Sequence, residues 1–328
     1  MSPRLALVVP CYNEEAVLPE TIRQLGGLLE ELKNNNQVSS DSLLLFVDDG
    51  SSDRTWEIIW EEHRKNEPSV WGMKLARNSG HQNALLAGLL GIKPFADITI
   101  SIDADLQDDI SVISEMIEKY GEGNEIVFGV REDRSSDTWF KRTSAEAFYR
   151  LMNWMGAATV KNHADFRLMS RRALDELEKY KERNLFLRGI VTNIGFQTAE
   201  VYYTRKKRMA GESKYPLPKM IAFALQGITS FSIKPMTLIS FVGIGSILVS
   251  LIAIIYSLVG HFTGNTVSGW TSLFCSVWFL GGMILLALGI IGQYIGNIYM
   301  EVKERPRYIV ETELFSEAGS SKDKQDSA

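Results

Sequence analysis

Asp103 and Asp105 close the stretch TISIDADLQ, residues 99–107, where a run of apolar and β-branched residues stops at two carboxylates one residue apart. A carboxylate is costly to remove from water without a partner. On an extended strand, residues i and i+2 face the same side, so the two acids are expected to point together and repel. A divalent cation removes that repulsion, and Mg2+ or Mn2+ prefers oxygen ligands of this kind. The plain alternative is a solvated turn after a strand, and the surrounding chain has to decide between the two.

The elements around the pair favour a site. RLALVVPCYN, SLLLFVDDG, VWGMKLARN, DITISIDAD and EIVFGVRED read as five strands. Between them lie helical patterns from Glu14 to about Lys33, in SSDRTWEIIWEEHRKN, in GHQNALLAGLLGI and in ISVISEMIEKYGEG. Ser and Asp in SSD stand where helix-capping residues belong. Apolar strands separated by helices predict an α/β fold with a mainly parallel sheet covered on both faces. Ligands of such sheets bind at the carboxyl ends of the strands. Three of those ends carry polar clusters, PCYNEE, VDDGSSD and DADLQDD. Their coincidence favours a binding site over a solvated turn. Residues 137–195 read as mainly helical, and 196–208 as a strand running into a basic stretch.

Charge is unevenly placed. The chain has 328 residues, 23% of them charged, and a net charge of −5, yet no Asp, Glu, Lys or Arg occurs between Lys234 and Glu301. Within that gap, 236–260 and 270–300 each exceed the ~20 residues that span a bilayer core. The loop 261–269 between them is short and uncharged. Arg205, Lys206, Lys207, Arg208, Lys214, Lys219 and Lys234 precede the first span, and Lys303, Arg305 and Arg307 follow the second. The positive-inside rule therefore predicts a multi-pass plasma-membrane protein with the α/β domain and both termini in the cytoplasm. Residues 214–235 mix apolar residues with Lys and Pro and suit helices lying in the membrane interface. Residues 301–328 read as a cytoplasmic tail, disordered from about Ser316. LALVVP is too short for a signal peptide. Two cysteines, Cys11 and Cys275, give no disulfide framework, and four histidines show no metal-ligand spacing. A structural role is the expectation for His63 and His261.

VVPCYNEE, VDDGSSDRT, RNSGHQNALLAGL, DADLQDD, DFRLMSRRAL, ERNLF, GESKY and GQYIGNIYMEVKERPRY, with the two spans, cover residues 4–310. In this set the chain resembles the membrane-bound polyprenyl-phosphate glycosyltransferases. These are inverting family 2 enzymes of GT-A fold, which include dolichol-phosphate mannose synthase; DFRLMSR, ERNLF and GITSFS look most like the bactoprenol glucosyltransferases. The resemblance implies a GT-A domain over 1–213. It implies nucleotide-sugar contacts at Pro10, Tyr12, Glu14, Val47, Asp49, Asp103, Ala104 and Arg131, with Arg208 and Lys214 on a closing loop. It implies Asp105 and Gln107 as ligands of Mg2+ or Mn2+, and catalytic roles for Asp103 and Asp165. Asp165 matches the position usually assigned as base. A phosphate monoester acceptor, with a second pKa near ~6, hardly needs one, so Asp165 could instead orient the acceptor or a basic partner such as Arg167.

The expected reaction is hexose transfer, glucose from UDP-glucose, onto undecaprenyl phosphate, giving a lipid-linked monosaccharide for cell-envelope glycans. UDP-GlcNAc, GDP-mannose or an aminoarabinose donor would suit similar motifs. A processive polysaccharide synthase shares this fold, but its QxxRW motif is absent. A non-catalytic sugar-nucleotide scaffold would not need both a metal site and a closing loop. The expected partners are the UDP-sugar, the polyprenyl phosphate and the bilayer, with no nucleic acid. Glycines at 243, 245, 281, 282, 289, 292 and 296 permit helix association and a homo-oligomer.

Overall fold

A computed structural model describes residues 2–131, 163–182, 187–204 and 269–315, with four single residues between 239 and 252. Contacts divide the chain into two units, 1–145 with 159–214 and 306–328, and 146–158 with 215–305.

The first unit is built on an eight-stranded mixed sheet in the order β7-β5-β6-β4-β1-β2-β3-β8. The strands are β1 (Leu5–Cys11), β2 (Leu43–Asp48), β3 (Val70–Leu75), β4 (Ile98–Ser101), β5 (Ile126–Arg131), β6 (His163–Ser170), β7 (Thr198–Tyr203) and β8 (Val310–Leu314). The unit's helices are α1 (Leu18–Asn34), α2 (Thr55–Lys65), α3 (His81–Ile92), α4 (Ile113–Gly121), α5 (Arg171–Glu178) and α6 (Leu187–Asn193). β4, β1, β2 and β3 run parallel, joined by helical crossovers as expected. β1 is buried on both faces, because Leu5, Leu7 and Val9 enter the core cluster beneath α1 while Ala6 and Val8 look the other way. α1 supplies Leu18, Ile22, Leu25, Leu29 and Leu32 to that cluster, one stripe at helical spacing. On the opposite face α3 lies so close that a Cβ on Gly88 would sit 2.6 Å from both Val8 and Val47. Only glycine permits this approach, and it brings the start of α3 to the ends of the strands.

Two strands escape the sequence reading. The stretch 163–170, expected to belong to a mainly helical region, is β6. It lies antiparallel between β4 and β5, so that the mainly parallel sheet is a mixed one. Its Asp165 and Arg167 break the apolar pattern by which a buried strand is recognised. The stretch 310–314, expected to be tail, is β8. It pairs antiparallel with β3 and covers that edge of the sheet. Phe315 then stacks on buried Trp71 with centroids 4.9 Å apart, and Phe95 meets both rings edge-on.

In the second unit α7 (Trp270–Val302) is, among the described residues, the one helix long and apolar enough to cross a membrane. Its 33 residues reach about 50 Å at 1.5 Å per residue. Of the expected first span, Ile239, Phe241, Gly245 and Ile252 are helical and the rest lies outside the described residues. One candidate membrane helix is thus established where two were expected. The interfacial segment 214–235 and the tail beyond Phe315 also lie outside.

Phe315→Ala is expected to lower stability by about 2 kcal/mol, a partly buried aromatic lost from a packed trio. Glu311→Ala, which removes only the exposed Lys74 pair at 3.1 Å, is expected to change it by less than about 0.5 kcal/mol. Thermal melts of the detergent-purified chain check this; equal shifts from the two variants would mean that β8 contributes no core.

Candidate active site

The carboxyl ends of β1, β2, β4 and β5, the amino end of the antiparallel β6 and the start of α3 converge on one polar region. The register β1/β2 sets Pro10 beside Val47 and Cys11 beside Asp48. The loops that follow are stitched by side chains. Asn13, in the left-handed region at φ 54°, accepts from Ser52 N at 2.9 Å, and its own N–H donates to Ser51 Oγ at 2.9 Å. Glu14 N donates to Thr55 Oγ1 at 2.9 Å, and Asp53 accepts from Thr55 N at 3.0 Å just ahead of α2, whose N-cap is Arg54 and not a residue of the SSD run. Tyr12 stays 47% exposed at the rim. Buried Asp49 accepts from Ser79 N at 2.7 Å and Gly80 N at 2.9 Å. Burial raises its carboxyl and these two bonds oppose the rise. Gly50, at φ 67°, lies against the backbone of Arg77 and Asn78, where a Cβ would sit 2.6 Å from Arg77 C. Asp49 therefore fixes the loop that delivers His81 as well as standing in the expected nucleoside region.

β4 ends at Ser101, so Asp103 and Asp105 are in a turn and not on a strand face as expected. Leu106 takes φ 51°, and Asp105 Oδ1 accepts from Gln107 N at 3.2 Å. The turn is anchored by Thr21 Oγ1, which donates to buried Ala104 O at 2.7 Å. Gln107 is buried. Burial pushes the Asp103 carboxyl up to about 6; His81 opposes this, and Asp108, Asp165 and Asp105 add to it. Asp108 is occupied by Arg131 Nη2 at 3.2 Å and by the hydroxyl of Tyr203, which Arg131 Nε also reaches at 3.1 Å. Among the described residues no three His, Cys, Asp or Glu side chains form a metal cage. The donor set still fits a hard cation. It offers oxygen ligands at Asp105 and Gln107 and an excess of negative charge around Asp103. Mg2+ typically takes one or two protein carboxylates and completes its shell with substrate phosphates and water.

Asp165 sits at the centre of a cation cluster. Arg188 grips it with two bonds, Nε to Oδ1 at 3.2 Å and Nη2 to Oδ2 at 3.1 Å. Arg167, 1% exposed and two residues away on the same face of β6, reaches Oδ1 at 3.4 Å. His81 Nε2 lies 3.6 Å from Asp165 Oδ2 and 3.4 Å from Asp103 Oδ1. Burial by itself would raise the Asp165 carboxyl; His81, Arg188 and Arg167 reverse that and hold it well below the usual carboxylate range. Burial lowers the His81 imidazole, and Asp165 and Asp103 more than restore it, leaving it raised. An acid this firmly ionised, with cations on both oxygens, is a poor proton acceptor.

The structure thus gathers Asp103, Ala104, Asp105, Gln107, Arg131 and Asp165 in one region, with Pro10, Tyr12, Glu14, Val47 and Asp49 at the neighbouring strand ends. Arg208 and Lys214 lie outside the described residues. Sequence reasoning missed His81, Asp108, Arg188 and Tyr203. His81 stands inside RNSGHQNALLAGL, but nothing in its spacing announces a distant carboxylate. His63 is structural as expected, its Nδ1 2.6 Å from Val70 O.

Residues 6–178 match the model of glycosyl transferase family 2. The chain is a family 2 glycosyltransferase. This glycosyltransferase is 53% identical over 324 residues to the uncharacterized glycosyltransferase YkoT of Bacillus subtilis, covering 99% of this chain and 96% of that one. It is 39% identical over 314 residues to the bactoprenol glucosyl transferase of Shigella phage SfX, covering 94% and 99%. It is 40% identical over 315 residues to the prophage bactoprenol glucosyl transferase homolog of Escherichia coli K12, covering 94% and 98%. Among solved structures, glucosyl-3-phosphoglycerate synthase from Mycobacterium tuberculosis aligns over 70% of this chain and 78% of its own, at 18% identity and a TM-score of 0.45.

Because the folded state holds the Asp165 carboxyl below its ordinary value near ~4, the group stabilises the fold above that pH. This contribution is lost as pH falls through the range below about 4. Asp165→Asn leaves Arg167 buried without its anion and is expected to cost about 3 kcal/mol at pH 7, with a flatter acid limb. Melting temperature against pH for both proteins checks this; parallel curves would place the carboxylate outside the linkage.

Proposed function

We propose that this glycosyltransferase moves glucose from UDP-glucose, with inversion, onto undecaprenyl phosphate at the cytoplasmic face of the plasma membrane. The product is a lipid-linked monosaccharide for cell-envelope glycan modification. The observation that carries this reading is the likeness, across 94% of the chain, to proteins named bactoprenol glucosyl transferase. The long apolar helix supports a membrane acceptor, with 236–260 as a further span ahead of it, 214–235 along the interface and both termini in the cytoplasm.

In this reading the base and ribose of the donor lie across the ends of β1 and β2, against exposed Tyr12 and near Pro10, Glu14, Val47 and Asp49. Asp103 and Ala104 follow on the next turn, and Arg131, set by Asp108 and Tyr203, lies on the diphosphate side. Asp105 and Gln107 hold Mg2+ or Mn2+, which when bound neutralises charge on the UDP leaving group. Arg208 and Lys214 close over the diphosphate and exclude water, the competing acceptor. The acceptor phosphate, with a second pKa near ~6, is ionised at neutral pH and attacks without a base. Asp165 has the task of holding cations in place, and Asp103 contacts the donor where the reaction occurs.

Radiolabelled UDP-glucose with undecaprenyl phosphate and Mn2+ is expected to yield a labelled lipid of one sugar. A labelled polymer, or lipid product only from UDP-GlcNAc or GDP-mannose, would replace the reading. In the same assay Asp105→Asn is expected to lower turnover at least ~100-fold, about 2.7 kcal/mol, while the chain still inserts. Asp165→Asn is expected to lose less, and its loss is not expected to recover at higher pH. Recovery at high pH would return the base role to Asp165.

A further inference from the structure

Within the Asp165 cluster, Arg188 is both fixed and open. Its Nε and Nη2 are committed to the Asp165 carboxylate, which Arg167 anchors from inside the sheet. Its side chain is nevertheless 45% exposed, while those of Asp165 and Arg167 are 9% and 1% exposed. A guanidinium has five N–H donors in a fixed plane, so three remain, and among the described residues none of the three has a partner. Its backbone is pinned too. Leu187 N donates to Gln82 Oε1 at 3.1 Å, tying the start of α6 to the first turn of α3, where His81 also stands 45% exposed. Two half-open basic side chains therefore flank a buried, saturated anion. Asp165 meets at most one of the two charges of Arg167 and Arg188, so this pair keeps surplus positive charge, while His81 faces both Asp165 and Asp103. The acidic turn 103–108 is the opposite case, where Arg131 is already neutralised by Asp108.

We propose that Arg188, preset by Asp165 and accompanied by His81, binds the phosphate monoester of the acceptor and holds it for attack, while the acidic turn serves the donor. This inference rests on the proposed lipid-phosphate acceptor. A fixed guanidinium edge suits a phosphate by two-point, charge-assisted hydrogen bonding, which a flexible lysine does not reproduce. Asp165 is accordingly a positioning residue that acts through Arg188. The same phosphoryl chemistry is offered by the donor diphosphate, so the test has an arm for each source.

The full-length protein in detergent is assayed as wild type, Arg188→Lys and Arg188→Ala, with KM measured separately for undecaprenyl phosphate and for UDP-glucose. Binding of farnesyl phosphate and of UDP with Mn2+ is measured on the same samples without turnover. Arg188→Ala is expected to raise the acceptor KM and weaken farnesyl phosphate binding at least ~10-fold, with the UDP-glucose KM and UDP–Mn2+ binding within about twofold. Arg188→Lys is expected to restore melting temperature without restoring acceptor affinity. A shift confined to the UDP arms would assign Arg188 to the donor diphosphate and overturn the proposal. Unchanged affinities in all arms, or full rescue by lysine, would reduce Arg188 to packing and overturn it equally. A wild type that binds farnesyl phosphate through Arg188 yet makes no lipid-linked glucose would leave the phosphate site standing and remove the proposed reaction.

Discussion

A single buried carboxylate organises the reactive end of this molecule. Asp165 lies on β6, between β4 and β5, where water cannot solvate it. Arg167 on the same strand cannot leave the protein interior either, and its Nε has no partner among the described residues. Each charge makes the other tolerable, and neither could remain alone without a cost of several kcal/mol. Because the pair is fixed by the sheet, it can in turn fix what approaches it. Arg188 comes from α6, His81 from α3, and Asp103 from the turn after β4. The geometry of the site follows from this electrostatic requirement as much as from backbone connections.

The same region separates charge by sign. Carboxylates concentrate on the 103–108 turn, where burial and mutual repulsion push Asp103 up to about 6. Cations concentrate around Asp165. A glycosyl transfer from a nucleotide sugar to a phosphate must bring two anionic substrates together, and a site with one acidic and one basic half can hold them in different ways. A cation recruited by the acidic half would draw the donor, and the guanidinium of the basic half is proposed to take the acceptor. Preorganised charge of this kind contributes most where water is excluded.

The chain beyond α7 also returns to the catalytic unit. β8 covers the β3 edge, and Phe315 completes an aromatic trio on Trp71. An open strand edge invites pairing with other chains, and here the edge is closed by residues more than 230 positions away in sequence.

Local chemistry was legible without the structure. Strands with apolar runs, helices with 3.6-residue stripes and polar clusters at three strand ends identified the parallel half of the sheet and placed Asp103, Asp105 and Gln107 at its rim. Those signals depend on neighbours a few residues apart, which sequence preserves. The family resemblance extended them to Asp165 and Arg131. β6 was hidden because Asp165 and Arg167 interrupt its apolar pattern; Arg167 was already an expected partner of Asp165, and only the fold shows that the distant Arg188 joins them. β8 was hidden because VETEL, half-exposed on a sheet edge, reads like solvated tail. His81, Asp108, Arg188 and Tyr203 carry no local mark of function. Their charges acquire meaning only when the sheet brings β4, β5, β6, β7, α3 and α6 together, because electrostatic interaction depends on distance in space and not on separation along the chain.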